Sequence, residues 1–266
     1  MIRMIITDLD GTLLHNDKSM SREIFPLIRQ LREQGICFVA ASGRQYASLR
    51  EDFLPEAENM YFIAENGAVL ADGHTNSIID LHPLPVEERN RLIQTARCIP
   101  NTFVVACAPT NAYYESDDPI LLDNIAPYYH RCQKVDDLTV IQEEVVKLAI
   151  LNIHGTKQFV YPAFIPFAEK FNLAVSAFEW MDIMMPNVHK GLGVRQLQQR
   201  LHIKKEETMA FGDFMNDYEL LQEAAHSYAM KNAIPEIKEI AAHITEYTNE
   251  EDGVIRVIQD LVLNKK

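Results

Sequence analysis

Short apolar runs alternate along this chain with longer segments whose apolar residues recur at helical spacing. Ile2 to Thr7 is an isoleucine-rich run, the pattern of a strand buried on both faces. After a polar loop, Asp8 to Met20, the residues Ile24, Leu27, Ile28 and Leu31 share one helical face, with Ser21 as the predicted cap and Gly35 as the stop. Ile36 to Ala40 predicts a second buried strand, Tyr46 to Phe53 a short helix, and Tyr61 to Ala64 a third strand. Strands separated by single helices imply right-handed parallel crossovers, so the expected core is α/β, a doubly wound, mostly parallel sheet. The alternation returns near the C-terminus. It gives helices over Gly191 to Leu201, through Leu221, over Ile234 to Ala241 and over Gly253 to Leu263, with strands at Thr208 to Gly212 and Ser227 to Met230.

The middle of the chain breaks this rhythm. Pro83-Leu84-Pro85 forms a stiff boundary. Between it and Pro186 the pattern predicts helices over Glu87 to Cys98, Ile120 to Tyr129 and Gln158 to Phe171. Strands are expected at Phe103 to Ala106 and Lys147 to Ile153, with two more short ones. The expected organisation is a core built from residues 1–82 and 187–266, with an α+β domain, residues 83–186, inserted into it.

Composition narrows the function. The 266 residues suit two domains, and 47% hydrophobic with 24% charged residues is the balance of a globular protein. A formal charge of −13 argues against nucleic acid and against an anionic membrane surface as partners. No apolar run reaches the ~18–20 residues needed to span a bilayer. Cys37, Cys98, Cys107 and Cys132 are far apart with no C-x-x-C pair, which points to buried free thiols and a cytoplasmic setting. The oligomeric state stays open between monomer and weak dimer.

Asp8-Leu9-Asp10-Gly11-Thr12 carries the strongest chemical signal. It stands at the carboxyl end of the first parallel strand, where open α/β sheets bind ligands. On an extended chain, positions i and i+2 point to one side, and two acids so close repel unless a cation lies between them. That favours a hard, oxygen-liking ion such as Mg²⁺; a bare D-x-D fits a solvated turn equally well. Asp213 and Asp217 form a second acidic pair at i, i+4 after another strand, and an early helix start would face both to one site. The Ser42 hydroxyl and the Gly43 amide could donate to phosphoryl oxygens, although a serine there also suits a helix cap. Lys190 at a helix start opposes the helix dipole, which a bound phosphate would explain; a solvent-facing lysine is the alternative.

Taken in order, Asp8-Leu9-Asp10-Gly11-Thr12, Ser42-Gly43-Arg44, Lys190-Gly191 and Gly212-Asp213-x-x-Asn216-Asp217 resemble the four motifs of the haloacid dehalogenase (HAD) superfamily. Glu65-Asn66-Gly67-Ala68 and Met230-Lys231-Asn232-Ala233 resemble its Cof-type branch, with a type IIB cap between the second and third motifs. The middle segment, with Tyr113-Tyr114 and Tyr128-Tyr129-His130-Arg131, is similar to the sugar-phosphatase members. Lys231 stands where the branch usually has glycine, and Phe214-Met215 replace smaller residues.

The resemblance implies a Mg²⁺-dependent phosphomonoester hydrolase acting on small phosphorylated metabolites, sugar phosphates foremost, through an aspartyl-phosphate. It implies Asp8 as nucleophile and Asp10 as general acid/base. Mg²⁺ would be held by the Asp8 side chain, the Asp10 carbonyl and Asp213, with Asp217 anchoring that shell. Phosphoryl oxygens would be held by Ser42, Lys190, Asn216 and the amides of Leu9 and Gly43. Arg44, Asn66, Tyr113, Tyr114 and Trp180 would be substrate contacts, and the inserted domain a lid. Two alternatives use the same groups: a phosphomutase, and a non-catalytic phosphoacceptor.

Overall fold

Each apolar run near the two ends of the chain becomes a strand of one sheet. The structure is a computed structural model that describes residues 1–263. In chain order the strands are β1 (Met4–Thr7), β2 (Cys37–Ala41), β3 (Met60–Ala64), β4 (Val69–Asp72), β5 (Ser77–Leu81), β6 (Phe103–Cys107), β7 (Ala112–Tyr114), β8 (Cys132–Lys134), β9 (Lys147–Leu151), β10 (Asn172–Val175), β11 (Trp180–Met184), β12 (Thr208–Gly212), β13 (His226–Ala229) and β14 (His243–Ile244).

They form two compact units. Among the described residues the first comprises Met1–Gly43, Leu49–Ile79 and 189–263; the second comprises Arg44–Ser48 and Asp80–Val188. An eight-stranded sheet runs β14-β13-β12-β1-β2-β3-β4-β5. From β14 to β3 neighbouring strands are parallel, and β4 then returns antiparallel to β3. Met4, Ile5 and Ile6 of β1 are fully buried, as a central parallel strand covered on both faces requires. The helix Ile24–Glu33 turns Ile24, Leu27, Ile28 and Leu31 into that core.

The second unit holds a six-stranded sheet, β10-β11-β9-β6-β7-β8. Strand alternation sends Val104, Ala106, Leu148, Ile150, Met181 and Ile183 into one apolar cluster and Val105, Cys107, Ala149 and Leu151 into another. Tyr113 belongs to the first cluster, and its hydroxyl donates to Glu143 Oε1 at 2.8 Å. Tyr114 and Trp180 pack against the second. Arg89 is buried and spends its guanidinium on the Thr139 and Ile141 carbonyls. The short Arg44–Ser48 stretch is tied into this unit: Gln45 Nε2 donates to the Arg131 carbonyl at 3.3 Å, and Ser48 Oγ accepts from the His130 amide at 3.0 Å.

Several elements differ from the pattern-based expectation. The helix expected over Gln158 to Phe171 is broken into Thr156–Phe159, Tyr161–Phe164 and Ile165–Phe167. Pro162 and Pro166, each early in its own short helix, cannot donate to a preceding turn. The helix expected to reach Tyr129 ends at Ile125, with Pro127 two residues on. The last α-helix covers Gly253–Ile258 and continues as a π turn, Gln259–Leu263. Ser21 does not cap the first helix; its hydroxyl donates to Asp252 Oδ2 at 3.2 Å. Among the described residues no helix is long and apolar enough to cross a membrane.

Candidate active site

Four segments of the first unit converge where the parallel strands end. β1 delivers Asp8, whose amide donates to the Phe211 carbonyl of the adjacent β12 at 3.1 Å. β12 delivers Asp213 and Asp217, β2 delivers Ser42 and Gly43, and the helix Lys190–Leu201 begins with Lys190. Neighbouring parallel strands end at one edge of a sheet, so residues 200 positions apart in sequence meet there.

Lys190 is fully buried, and its ammonium donates to Asp8 Oδ1 and, at 2.7 Å, to Asp217 Oδ1. The sequence alternative of a solvent-facing lysine is thereby excluded. Asp8, Asp213 and Asp217 bring carboxylate oxygens within 4.8 Å of one another. Burial, then the Asp217 charge, push the Asp8 carboxyl well above its ordinary range, against the pull of Lys190. Asp213 is raised to about 6 by burial and by Asp217. Burial works against the Lys190 ammonium, yet the Asp217 and Asp8 charges outweigh it and hold its pKa above the usual lysine value.

Asp217 reaches this cluster by a route other than helical i, i+4 spacing. Phe214 is extended and Met215–Asp217 is a single 3-10 turn. Asp217 Oδ2 accepts from the Asp213 and Phe214 amides at 2.9 and 3.3 Å, which curls the chain so that both carboxylates face inward. Gly212 must be glycine, because a Cβ there would lie 2.5 Å from Asp217 Cβ.

The chain after Asp8 is likewise not extended. The amides of Thr12, Leu13 and Leu14 all donate to the Leu9 carbonyl, at 3.1, 2.9 and 2.8 Å. The extended geometry expected from the sequence gives way to a tight turn from Leu9 onward. Asp10 pairs with Lys18 at 2.9 Å, while Asp8 turns to Lys190. Gly11 sits at φ +80°, and a Cβ on it would lie 2.4 Å from Asp213 Oδ2. Thr12 Oγ1 donates to Asp213 Oδ1 at 2.9 Å. The role of Thr12 and the Lys18 contact carried no sequence signal, because both depend on how tightly this loop is wound.

Ser42 is buried, donates its amide to the Ile63 carbonyl at 2.8 Å and accepts the Asn66 amide at 3.0 Å. Glu65, Asn66 and Gly67 have φ of +49°, +54° and +98°. Three consecutive left-handed residues, two of them not glycine, store strain of ~1–3 kcal/mol per non-glycine residue. The turn they make sets Asn66 against Gly43 and lets its Oδ1 accept from Asn216 Nδ2 at 3.4 Å. Arg44, Tyr113, Tyr114 and Trp180 lie in the second unit.

A family model of haloacid dehalogenase-like hydrolases matches residues 5–258. The chain is 31% identical to the 5-amino-6-(5-phospho-D-ribitylamino)uracil phosphatase YbjI of Escherichia coli (strain K12), over 98% of this chain and 96% of that one. Among solved structures it resembles TM0651 from Thermotoga maritima with a TM-score of 0.85 at 26% identity, over 98% of both chains. It shares its fold with the HAD subclass IIB sugar phosphatase BT4131, with a TM-score of 0.80 at 20% identity over 97% of this chain and 98% of that one. The chain belongs to the haloacid dehalogenase-like hydrolase family, and as an enzyme it is a phosphatase.

Proposed function

We propose that this phosphatase hydrolyses phosphomonoesters of small metabolites, with sugar and sugar-alcohol phosphates as the main class, through a phosphoryl group carried transiently on Asp8. The observation that carries the reading is the buried Asp8 carboxylate, held by Lys190 beside Asp213 and Asp217. The substrate class is supported by the Escherichia coli relative, whose name places its phosphate on a ribityl chain.

Mg²⁺ fits this donor set. Three hard oxygen donors lie close together and two of them have raised pKa values, the signature of repulsion that a divalent cation would relieve. The Asp8 and Asp213 side chains and the Asp10 carbonyl would hold it. Asp217 already gives its oxygens to Lys190 and to two amides, which suits an anchoring role. Bound there, the ion neutralises charge on the phosphoryl oxygens.

The chain's own residues then divide the work. An Asp8 oxygen attacks phosphorus and the bond to the leaving oxygen breaks. Asp10 gives that oxygen a proton, then takes one from the water that attacks phosphorus and releases Asp8. Lys190 steadies Asp8 and faces the incoming negative charge, while Ser42, Asn216 and the Leu9 and Gly43 amides receive phosphoryl oxygens. The inserted domain, residues 83–186, is assigned the choice of leaving group. Arg44, Asn66, Tyr114 and Trp180 are proposed substrate contacts. Tyr113, whose hydroxyl is bonded to Glu143, is proposed with them. The four cysteines are free, which suits a cytoplasmic setting, but against the expectation of buried thiols only Cys107 is buried, while Cys98 and Cys132 are exposed.

The test is a panel of phosphorylated metabolites assayed for free phosphate, with Mg²⁺ or with EDTA. Mg²⁺-dependent release that Asp8→Asn abolishes in a folded protein supports the reading. EDTA-insensitive release, or isomer formation without free phosphate, contradicts it; the second result would indicate a mutase.

A further inference from the structure

The loop that follows β1 is held from the far end of the chain. Asn232 Nδ2 donates to the Gly11 carbonyl at 2.7 Å, and Asn232 Oδ1 accepts the Asn249 amide at 3.1 Å. Asn249 is buried; its Nδ2 donates to the Leu14 carbonyl at 2.9 Å and to Asn16 Oδ1 at 3.2 Å. His15 Nε2 meets Asp252 Oδ1 at 3.0 Å. Two asparagines and an aspartate from residues 232–252 thus clasp four points of the loop between Gly11 and Asn16.

Within this clasp Asn232 has a distinct place. Leu14, Asn16 and His15 lie beyond the acidic cluster, but Gly11 packs directly on Asp213, where even a Cβ would collide with the carboxylate. The Gly11 carbonyl belongs to the peptide that leads into Thr12, whose hydroxyl holds Asp213 Oδ1. Turning that peptide changes ψ of Gly11 and φ of Thr12, and so would move Thr12 off Asp213. Asn232 is solvent-exposed, so its hydrogen bonds add little to overall stability. It is also suited to the task, since a planar amide offers one donor and one acceptor side by side, and here each is used.

We propose that Asn232 is a positioning residue: by fixing the Gly11–Thr12 peptide it holds Thr12 on Asp213 and keeps the Asp10–Gly11 turn in the arrangement that phosphoryl transfer needs. The proposal rests on the assignment of Asp8, Asp10 and Asp213 made above. It concerns the protein before any ion or substrate binds, because every contact in the chain from Asn232 to Asp213 is present in the protein alone.

Two variants separate positioning from bulk stability. Asn232→Asp keeps an acceptor for the Asn249 amide and loses the donor to Gly11; Asn232→Ala loses both. In the metal-free protein, hydrogen exchange of the Thr12, Leu13 and Leu14 amides should accelerate about tenfold in both variants, the scale of one neutral hydrogen bond. With Mg²⁺ present, kcat should fall about tenfold or more while KM changes less than about twofold, the split expected when geometry and not substrate affinity is lost. The melting temperature should move by no more than a few degrees. Unchanged loop exchange with wild-type kcat in Asn232→Asp overturns the proposal. So does a kcat loss that merely follows the fraction unfolded. A wild-type protein without Mg²⁺-stimulated phosphate release would instead overturn the underlying assignment.

Discussion

Lys190 Nζ lies 2.7 Å from Asp217 Oδ1 and bonds Asp8 as well, so one ammonium at a helix start joins carboxylates from two neighbouring strands. With Asp213 included, three acids share one lysine in a site closed to solvent on most sides. This excess of negative charge is unfavourable for the protein alone and favourable for a cation, whose charge would in turn offset the repulsion of an anionic phosphoryl group. Stability and activity should therefore respond to substitution in opposite senses at some positions and together at others.

At Lys190 they respond together. Lys190→Met leaves Asp8 and Asp217 facing each other without their counter-charge. Breaking one side of a buried pair costs about 3–5 kcal/mol, so the melting temperature should drop by many degrees and phosphate release should vanish. Lys190→Arg should not rescue activity, since a fully buried site shaped for an ammonium has no room for the broader guanidinium. Thermal melts and phosphate release on both variants check this.

At Asp213 they respond in opposite senses. Its folded pKa is raised to about 6 from an ordinary 3.8, so the folded protein holds that proton more tightly than the unfolded chain does. The resulting stabilisation is full below the ordinary value and is lost as pH rises through about 6. Asp213→Asn should remove that loss and stabilise the metal-free protein above pH 6 by up to about 2 kcal/mol, with the two proteins converging near pH 4. It should also abolish the extra stability that Mg²⁺ gives the wild type. Melting curves against pH, with and without Mg²⁺, read both effects.

Gly11 and Gly35 give a matched comparison. Both have positive φ, +80° and +73°, but a Cβ at Gly35 meets nothing within 4 Å, whereas one at Gly11 strikes the Asp213 carboxylate. Gly35→Ala should cost about 1 kcal/mol of backbone strain with kcat unchanged. Gly11→Ala should lower kcat about a hundredfold or more, the effect of an ångström-scale shift at the reacting groups. Steady-state kinetics and denaturant melts on the two variants decide it.

Arg89 tests the second unit by itself. Arg89→Ala leaves the Thr139 and Ile141 carbonyls without their donor and opens a void in a buried position. A loss of about 2–4 kcal/mol is expected for that unit. Limited proteolysis should then cut first within residues 80–188 while residues 4–41 stay protected.

Much of this was legible in the sequence because two rules act locally. Apolar runs separated by single amphipathic helices forced a parallel sheet, and a parallel sheet gathers the residues after its strands at one edge. Asp8, Ser42, Lys190 and Asp213 could be grouped on that reasoning. What escaped depended on contacts that span the chain or on tight local turns. Lys190 is indistinguishable from a surface lysine until Asp8 and Asp217 close over it. Asp217 was expected to face the site through a helical turn and faces it through a carboxylate curled onto two amides. Ser21 looked like a cap but is taken by Asp252, 231 residues away. The helical spacing between Gln158 and Phe171 was real, yet two prolines divided it. The pattern of apolar runs places no strand between Ala64 and Pro83, and the four-residue β4 returns antiparallel to β3 there.

On the proposed mechanism Asp8 carries the phosphoryl group during turnover. The direct measurement is to acid-quench the enzyme while it turns over a phosphomonoester with Mg²⁺, digest it, and locate the phosphoryl group by peptide mapping. A transient phosphoryl group is expected on the peptide containing Asp8, absent from Asp8→Asn. A phosphoryl group on another residue, or full turnover by Asp8→Asn, would contradict that mechanism.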